Sequence, residues 1–210
     1  MQEKLKVRVV LFDLGNVLVN LGEVAEISGM LNTEGEESDV WLQWLSSPAV
    51  AAFDSGKITF EQFAKALLQE VGSQTPIDVF KAHFKKWPRG LFDGALALVE
   101  SVKPEYHRAI LSNTNAAHWP RLMNKMGLAG VFHSYYASHL IGAVKPDGAI
   151  YQYVLDQLQV LPEEILFIDD NQINIDAAKA FGMQAFRVKG VEEARFVLDQ
   201  HDVLLKPLAE

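Results

Sequence analysis

The sequence predicts an α/β fold: a parallel sheet covered by helices, with one long helical insertion. Short apolar runs fall at about 7–12, 107–112, 133–137, 164–168 and 184–188. Runs of this length and composition suit strands buried on both faces. Amphipathic helical patterns separate the runs after residue 93, and that alternation builds a parallel sheet. Residues 18 to 90 break the alternation and read as wholly helical.

The first strand is apolar apart from Arg8 and runs into Asp13, then meets the turn formers Gly15 and Asn16. In the insertion, Glu37 to Leu45 places Trp41, Trp44 and Leu45 on adjoining helix faces. Thr59-Phe60-Glu61-Gln62 is a capping box and predicts a helix through Val71. Thr75-Pro76 predicts another, to about Trp87, with proline at the first helical position. Trp41, Trp44, Phe80, Phe84 and Trp87 are expected to pack helix on helix, with one or two of them facing a ligand. His83 and His118 are expected at the surface or in packing, not as ligands. Asp93 is placed to cap a helix through Val102. Asn115 can open a helix toward Met126, closed by Gly127, with Pro120 tolerated only near its start. Ile150, Val154, Leu155 and Leu158 recur at helical spacing and predict a helix over 146–158. A further helix runs from Ile173 to Phe181, ending at Gly182, and Val191 to Gln200 is a last amphipathic one.

A chain of 210 residues can bury a real core and still carry an insertion. Its 49% hydrophobic content is that of an ordinary globular protein. A formal charge of -8 argues against nucleic acid as a partner, because that footprint is basic. It still allows an anionic substrate, met by a local lysine and a metal. There are no cysteines, which removes disulfides, thiolate metal sites and cysteine nucleophiles, and fits a reducing cytoplasm. Lys4, Lys6 and Arg8 precede an apolar strand, but Asp13 interrupts it and no small-residue cleavage site follows. No signal peptide is therefore expected. No apolar stretch reaches the roughly 18 residues of a membrane span.

Chemistry gathers where the apolar runs stop. Leu11 to Val19 reads Leu-Phe-Asp-Leu-Gly-Asn-Val-Leu-Val, which puts Asp13 at a strand's carboxyl end. Ligands of α/β sheets bind in the crevice outside those ends. Ala109 to Asn115 reads Ala-Ile-Leu-Ser-Asn-Thr-Asn, so Ser112, Asn113 and Thr114 can donate hydrogen bonds to an anion. Lys145, in Val-Lys-Pro-Asp, is a point cation suited to phosphate or to a carboxylate cluster. Ile165 to Asn174 reads Ile-Leu-Phe-Ile-Asp-Asp-Asn-Gln-Ile-Asn, where Asp169 and Asp170 follow a strand side by side. Like charges in such a crevice repel unless a cation holds them, and oxygen ligands with few protein contacts suit Mg²⁺. Each segment alone reads as a turn cap, a helix cap or a solvated lysine; the four in order do not.

Together they resemble the four ordered motifs of the haloacid dehalogenase-like superfamily, over about residues 7 to 190. Within it, the Phe-Asp-Leu-Gly-Asn-Val, Leu-Ser-Asn-Thr-Asn and Asp-Asp-Asn segments look like a bacterial subgroup that includes glucose-1-phosphate phosphatases. The resemblance implies a Rossmann-like parallel core over 1–17 and 91–210, with 18–90 as an inserted helical cap that helps choose substrate. It implies Asp13 as nucleophile, Ser112 or Thr114 as the hydroxyl group, and Lys145 as the lysine. Mg²⁺ would sit on Asp13, the carbonyl of Gly15 and Asp170, with Asp169 as ligand or support, and Asn113 and Asn174 would hold the loops. The implied reaction is Mg²⁺-dependent hydrolysis of a small phosphorylated metabolite through an aspartyl-phosphate.

One position departs from the pattern. Most phosphatases of this superfamily carry a second aspartate two residues after the nucleophile, as general acid and base. Here that residue is Gly15, which has no side chain. A phosphomutase would need that acid, and a dehalogenase would not need the Asp169-Asp170 pair. A phosphometabolite-binding or regulatory protein with weak turnover is the reading that Gly15 favours.

Overall fold

The computed structural model describes residues 7–22 and 43–206. Its centre is a five-stranded parallel sheet built from β1 (Val9–Phe12), β4 (His107–Ser112), β5 (Ser134–Ala137), β6 (Ile165–Asp169) and β7 (Gln184–Arg187). The order is β5-β4-β1-β6-β7, with every pairing parallel. The order reverses direction at β1, so the crevice of the fold opens beyond Phe12, Ser112 and Asp169.

Alternation along β1 explains how both faces are covered. Val10 and Phe12 point into a cluster with α4 (Ala95–Glu100) and α8 (Gly190–Gln200). Val9 and Leu11 point the other way, into a cluster with α6 (Gly148–Leu158) and α7 (Gln172–Ala180). Successive strand residues face opposite sides, so a strand buried on both must be apolar throughout. All four residues of β1 are at most 1% exposed.

Ahead of α4, the stretch between β1 and β4 carries the helices α1 (Pro48–Asp54), α2 (Phe60–Glu70) and α3 (Ile77–Phe84). They bury a core of their own around Phe53, Phe63, Phe80 and Phe84, with Trp44 and Trp87 against it. Trp44 packs edge-on to Phe63 and Trp87, so its place is in packing. Trp41 lies outside the described residues. The capping box forms as expected: Thr59 Oγ1 accepts from Gln62 N and Gln62 Oε1 accepts from Thr59 N.

Three expectations need correction. The segment from 18 to 90 is not wholly helical: β2 (Val19–Asn20) pairs antiparallel with β3 (Gly90–Leu91). Two-residue strands are too short to show a period. Asp93 does not cap α4; Gly94 does, at φ 77°, a conformation that glycine adopts without strain. The stretch after Asn115 becomes a short π-helical turn, Arg121–Lys125, though Asn115 Oδ1 does accept from Ala117 N and His118 N. Among the described residues, no helix is long and apolar enough to cross a membrane.

Candidate active site

The carboxyl ends of β1, β4 and β6 bring the candidates together. Asp13 extends the pairing of β1, its amide donating to Ile168 O at 2.9 Å. Asp169 ends β6 and is fully buried. Lys145 reaches between them from the loop before α6. Its Nζ donates to Asp13 Oδ1 at 2.8 Å, to Asp169 Oδ2 at 2.6 Å and to Leu111 O at 3.0 Å. All three ammonium donors are thereby used.

Each acid has its own setting. Asp169 accepts from Lys145 Nζ, from Asn171 N and, at both oxygens, from Asn174 Nδ2. Its lone pairs are largely taken up by this chain. Asp170 is less enclosed and accepts from Asn16 Nδ2 at 3.0 Å. Asn16 sits at φ 53°, in the left-handed region that asparagine tolerates better than most residues. One oxygen from each of Asp13, Asp169 and Asp170 falls within 4.8 Å of the others.

Three carboxylates thus meet one ammonium in a buried space. Burial raises Asp13 to about 7; Asp169 and Asp170 push the same way, and Lys145 opposes them. Burial also raises Asp170, helped by Asp169 and opposed by Asn16. Burial works against the charge of Lys145, but Asp13 and Asp169 outweigh it and hold its pKa above the ordinary lysine value. With all three acids ionised the site lacks two positive charges, and its remaining donors are hard oxygens. That donor set fits a small divalent cation.

Facing this cluster is the end of β4. Ser112 and Thr114 are buried, and among the described residues neither hydroxyl has a hydrogen-bond partner. Thr114 is held through its backbone instead: its amide donates to Ser138 Oγ, and Ser138 Oγ donates back to its carbonyl, each at 2.9 Å. Asn113 pairs with the backbone of Lys145, donating to its carbonyl at 2.9 Å and accepting its amide at 2.8 Å. Its side chain is occupied in aligning the two loops. Gly15 lies in the turn after Asp13 with Leu21 beside it.

Sequence reasoning missed Asn16 and Ser138. Asn16 read only as a turn former, and Ser138 carried the same signal as Ser112, a small polar residue where a strand stops. His118 is buried and stacked on Phe84, with ring centroids 4.3 Å apart, as the packing expectation requires.

The profile of the haloacid dehalogenase-like hydrolases matches residues 7–182. The chain belongs to that family. A D-ribitol-5-phosphate phosphatase of Bacteroides thetaiotaomicron is 23% identical over 185 residues, 85% of this chain and 90% of that protein. A HAD family enzyme from the same bacterium, solved with magnesium and inorganic phosphate, superposes at a TM-score of 0.67 with 22% identity, covering 87% and 94% of the two chains. The L-2-haloacid dehalogenase of Xanthobacter autotrophicus superposes at 0.65 with 21% identity, covering 96% and 85%. At these identities the superpositions establish the fold, which phosphatases and dehalogenases of the family share.

Proposed function

We propose that this hydrolase cleaves small phosphate monoesters with Mg²⁺, through an aspartyl-phosphate on Asp13. The observation that carries the proposal is the surplus of carboxylate at the ends of β1 and β6, beside the buried Ser112 and Thr114, whose hydroxyls have no partner among the described residues. Asp13 and Asp170 would hold the ion, with the carbonyl of Gly15 beside them. Asp169, enclosed by donors of its own chain, orients Lys145. When bound, Mg²⁺ supplies charge that neutralises and orients a phosphoryl group.

The chain's residues then divide the work. An oxygen of Asp13 attacks phosphorus as the ester P–O bond breaks, and the leaving oxygen takes its proton from water. Water next cleaves the acyl phosphate, releasing inorganic phosphate and restoring Asp13. Lys145 and Ser112 or Thr114 hold the phosphoryl oxygens, over which transition-state charge is spread. Residues 18–90 serve as the cap over a core formed by 1–17 and 91–210, with the ribbon of β2 and β3 at the crossing. Closing such a cap excludes water and strengthens the electrostatics inside.

The similarity to a D-ribitol-5-phosphate phosphatase places polyol and sugar phosphates first among the substrates to try. The test is phosphate release from a panel of phosphorylated metabolites, with Mg²⁺ and with EDTA. Mg²⁺-dependent release from one or more esters is expected. A second reading is a dehalogenase, an activity carried by the same fold. Halide release from 2-haloacids in EDTA, with no phosphate from any ester, would select it.

A further inference from the structure

Asn115 ends the Ser-Asn-Thr-Asn segment, and its side chain makes every hydrogen bond it can. The two hydrogens of Nδ2 go to Asp54 Oδ1 at 2.9 Å and His118 Nδ1 at 3.4 Å. Oδ1 accepts from Ala117 N and His118 N. His118 Nε2 lies 2.7 Å from Phe84 O, and a carbonyl only accepts, so the ring proton is on Nε2 and Nδ1 accepts from Asn115. The result is a chain that diverges at Asn115, which donates to Asp54 on one side and to His118 on the other, and His118 in turn donates to Phe84 O.

Its two ends are in the helical insertion, at the last residues of α1 and α3, while its middle is in the sheet domain's loop after β4. The insertion is therefore gripped at two helix ends by the loop that also carries Ser112 and Thr114. A third contact reinforces the seat. Gly56, at φ 70°, lies so close to α5 (Ser138–Ile141) that a Cβ there would collide with the carbonyl oxygen of His139. Next to it in sequence is Ser138, which fixes the backbone of Thr114. Seating the insertion and shaping the hydroxyl loop are thus one arrangement.

We infer that Asp54, Asn115 and His118 form a clasp that couples the seating of the helical insertion to the geometry of the Ser112–Thr114 loop. Asp54 is then a positioning residue: it touches no reacting atom and acts through Asn115. The inference rests on the phosphatase reading for its kinetic consequence only, because the clasp itself is a property of the fold.

The experiment compares the full chain with Asp54→Ala and Asp54→Asn, by hydrogen–deuterium exchange and by hydrolysis of p-nitrophenyl phosphate with Mg²⁺. Asparagine retains an oxygen to accept from Asn115; alanine does not. In Asp54→Ala, exchange at residues 112–118 is expected to rise about tenfold to hundredfold, the loss of a hydrogen bond to a charged group. Its kcat falls by a similar factor and its KM changes less, while Asp54→Asn recovers most of both. Unchanged exchange at 112–118 in Asp54→Ala overturns the clasp, as does kcat reduced equally by alanine and asparagine. If the wild-type chain releases no phosphate, the functional reading fails and the exchange measurement alone decides the clasp.

Discussion

Lys145 Nζ donates to Asp13 Oδ1 at 2.8 Å, although 132 residues separate the two in sequence. The contact exists because β1 is the central strand and the loop before α6 passes over its end. It binds a cation to a carboxylate that burial would otherwise leave protonated near neutrality. Asp13→Asn keeps the volume and removes the charge of the proposed nucleophile. Turnover is expected to fall at least about 10³-fold, as for removal of a covalent nucleophile. The sign for stability is opposite. A carboxyl whose folded pKa is raised to about 7 disfavours the fold once it ionises. Without metal at pH 8, Asp13→Asn should therefore melt no lower than wild type. Near-normal turnover in this variant would refute the covalent role.

Metal dependence follows from the same surplus of charge. A cation that binds only the folded chain stabilises it by about 2.7 kcal/mol at a hundred times its Kd. For a chain of this size that is a rise in Tm of roughly 5–10 °C. Wild type should show the rise on adding Mg²⁺, and Asp170→Ala should lose both the rise and the activity. Full turnover in excess EDTA would remove Mg²⁺ from the mechanism.

Much of this was legible in the sequence where a strand's apolar run stops at a polar group. Asp13, Ser112 and Asp169 were found that way, and the parallel sheet brings strand ends together without further instruction. What escaped were relationships made by distant chain. Asn16 meets Asp170 across 154 residues and Asp54 meets Asn115 across 61, and neither residue carries a local sign of its partner. The ribbon of β2 and β3 escaped because it has two residues on each side.

The clasp gives a pH signature. Burial raises Asp54 to about 6, against the hydrogen bond from Asn115. An acid raised on folding stabilises below its unfolded pKa, and that contribution is lost as pH rises through 6. Burial lowers His118 to about 4, with Arg121 acting in the same direction and Phe84 O opposing. Its contribution is present above the unfolded pKa of about 6.5 and is lost as pH falls toward 4. The two act oppositely across nearly the same window, so wild-type stability there gains little slope from the pair. Asp54→Asn leaves only His118, and stability relative to wild type should fall on acidification from 6 to 4. His118→Gln leaves only Asp54, and the relative slope should reverse. Each slope is at most about 1.4 kcal/mol per pH unit. Asp13 and Asp170 also titrate but are common to all three proteins. Parallel Tm profiles for the three from pH 4 to 6.5 would dismiss the assignment.

Gly15 sets the last expectation. It stands where a general acid and base would be, and general acid–base help is worth about 10²–10⁴-fold. Without it, esters with acidic leaving groups lose least, so aryl phosphates and sugar 1-phosphates should outpace alkyl phosphates. Water attack on the aspartyl-phosphate also lacks a base, so p-nitrophenyl phosphate should give a burst of nitrophenol in rapid-quench kinetics. The fold leaves room for repair. Gly15 is not among the glycines at positive φ, and the nearest atoms its Cβ would meet among the described residues are Leu21 Cδ1 at 3.1 Å, Leu21 Cγ at 3.7 Å and Asp13 Oδ2 at 3.9 Å. Leu21 is a flexible side chain and has a few tenths of an ångström to give. Gly15→Asp places a carboxyl beside Asp13, and it is expected to raise alkyl phosphate turnover by at least about tenfold and to abolish the burst. A wild-type enzyme with no burst, and equal rates on aryl and alkyl esters, would mean that another residue already supplies the proton.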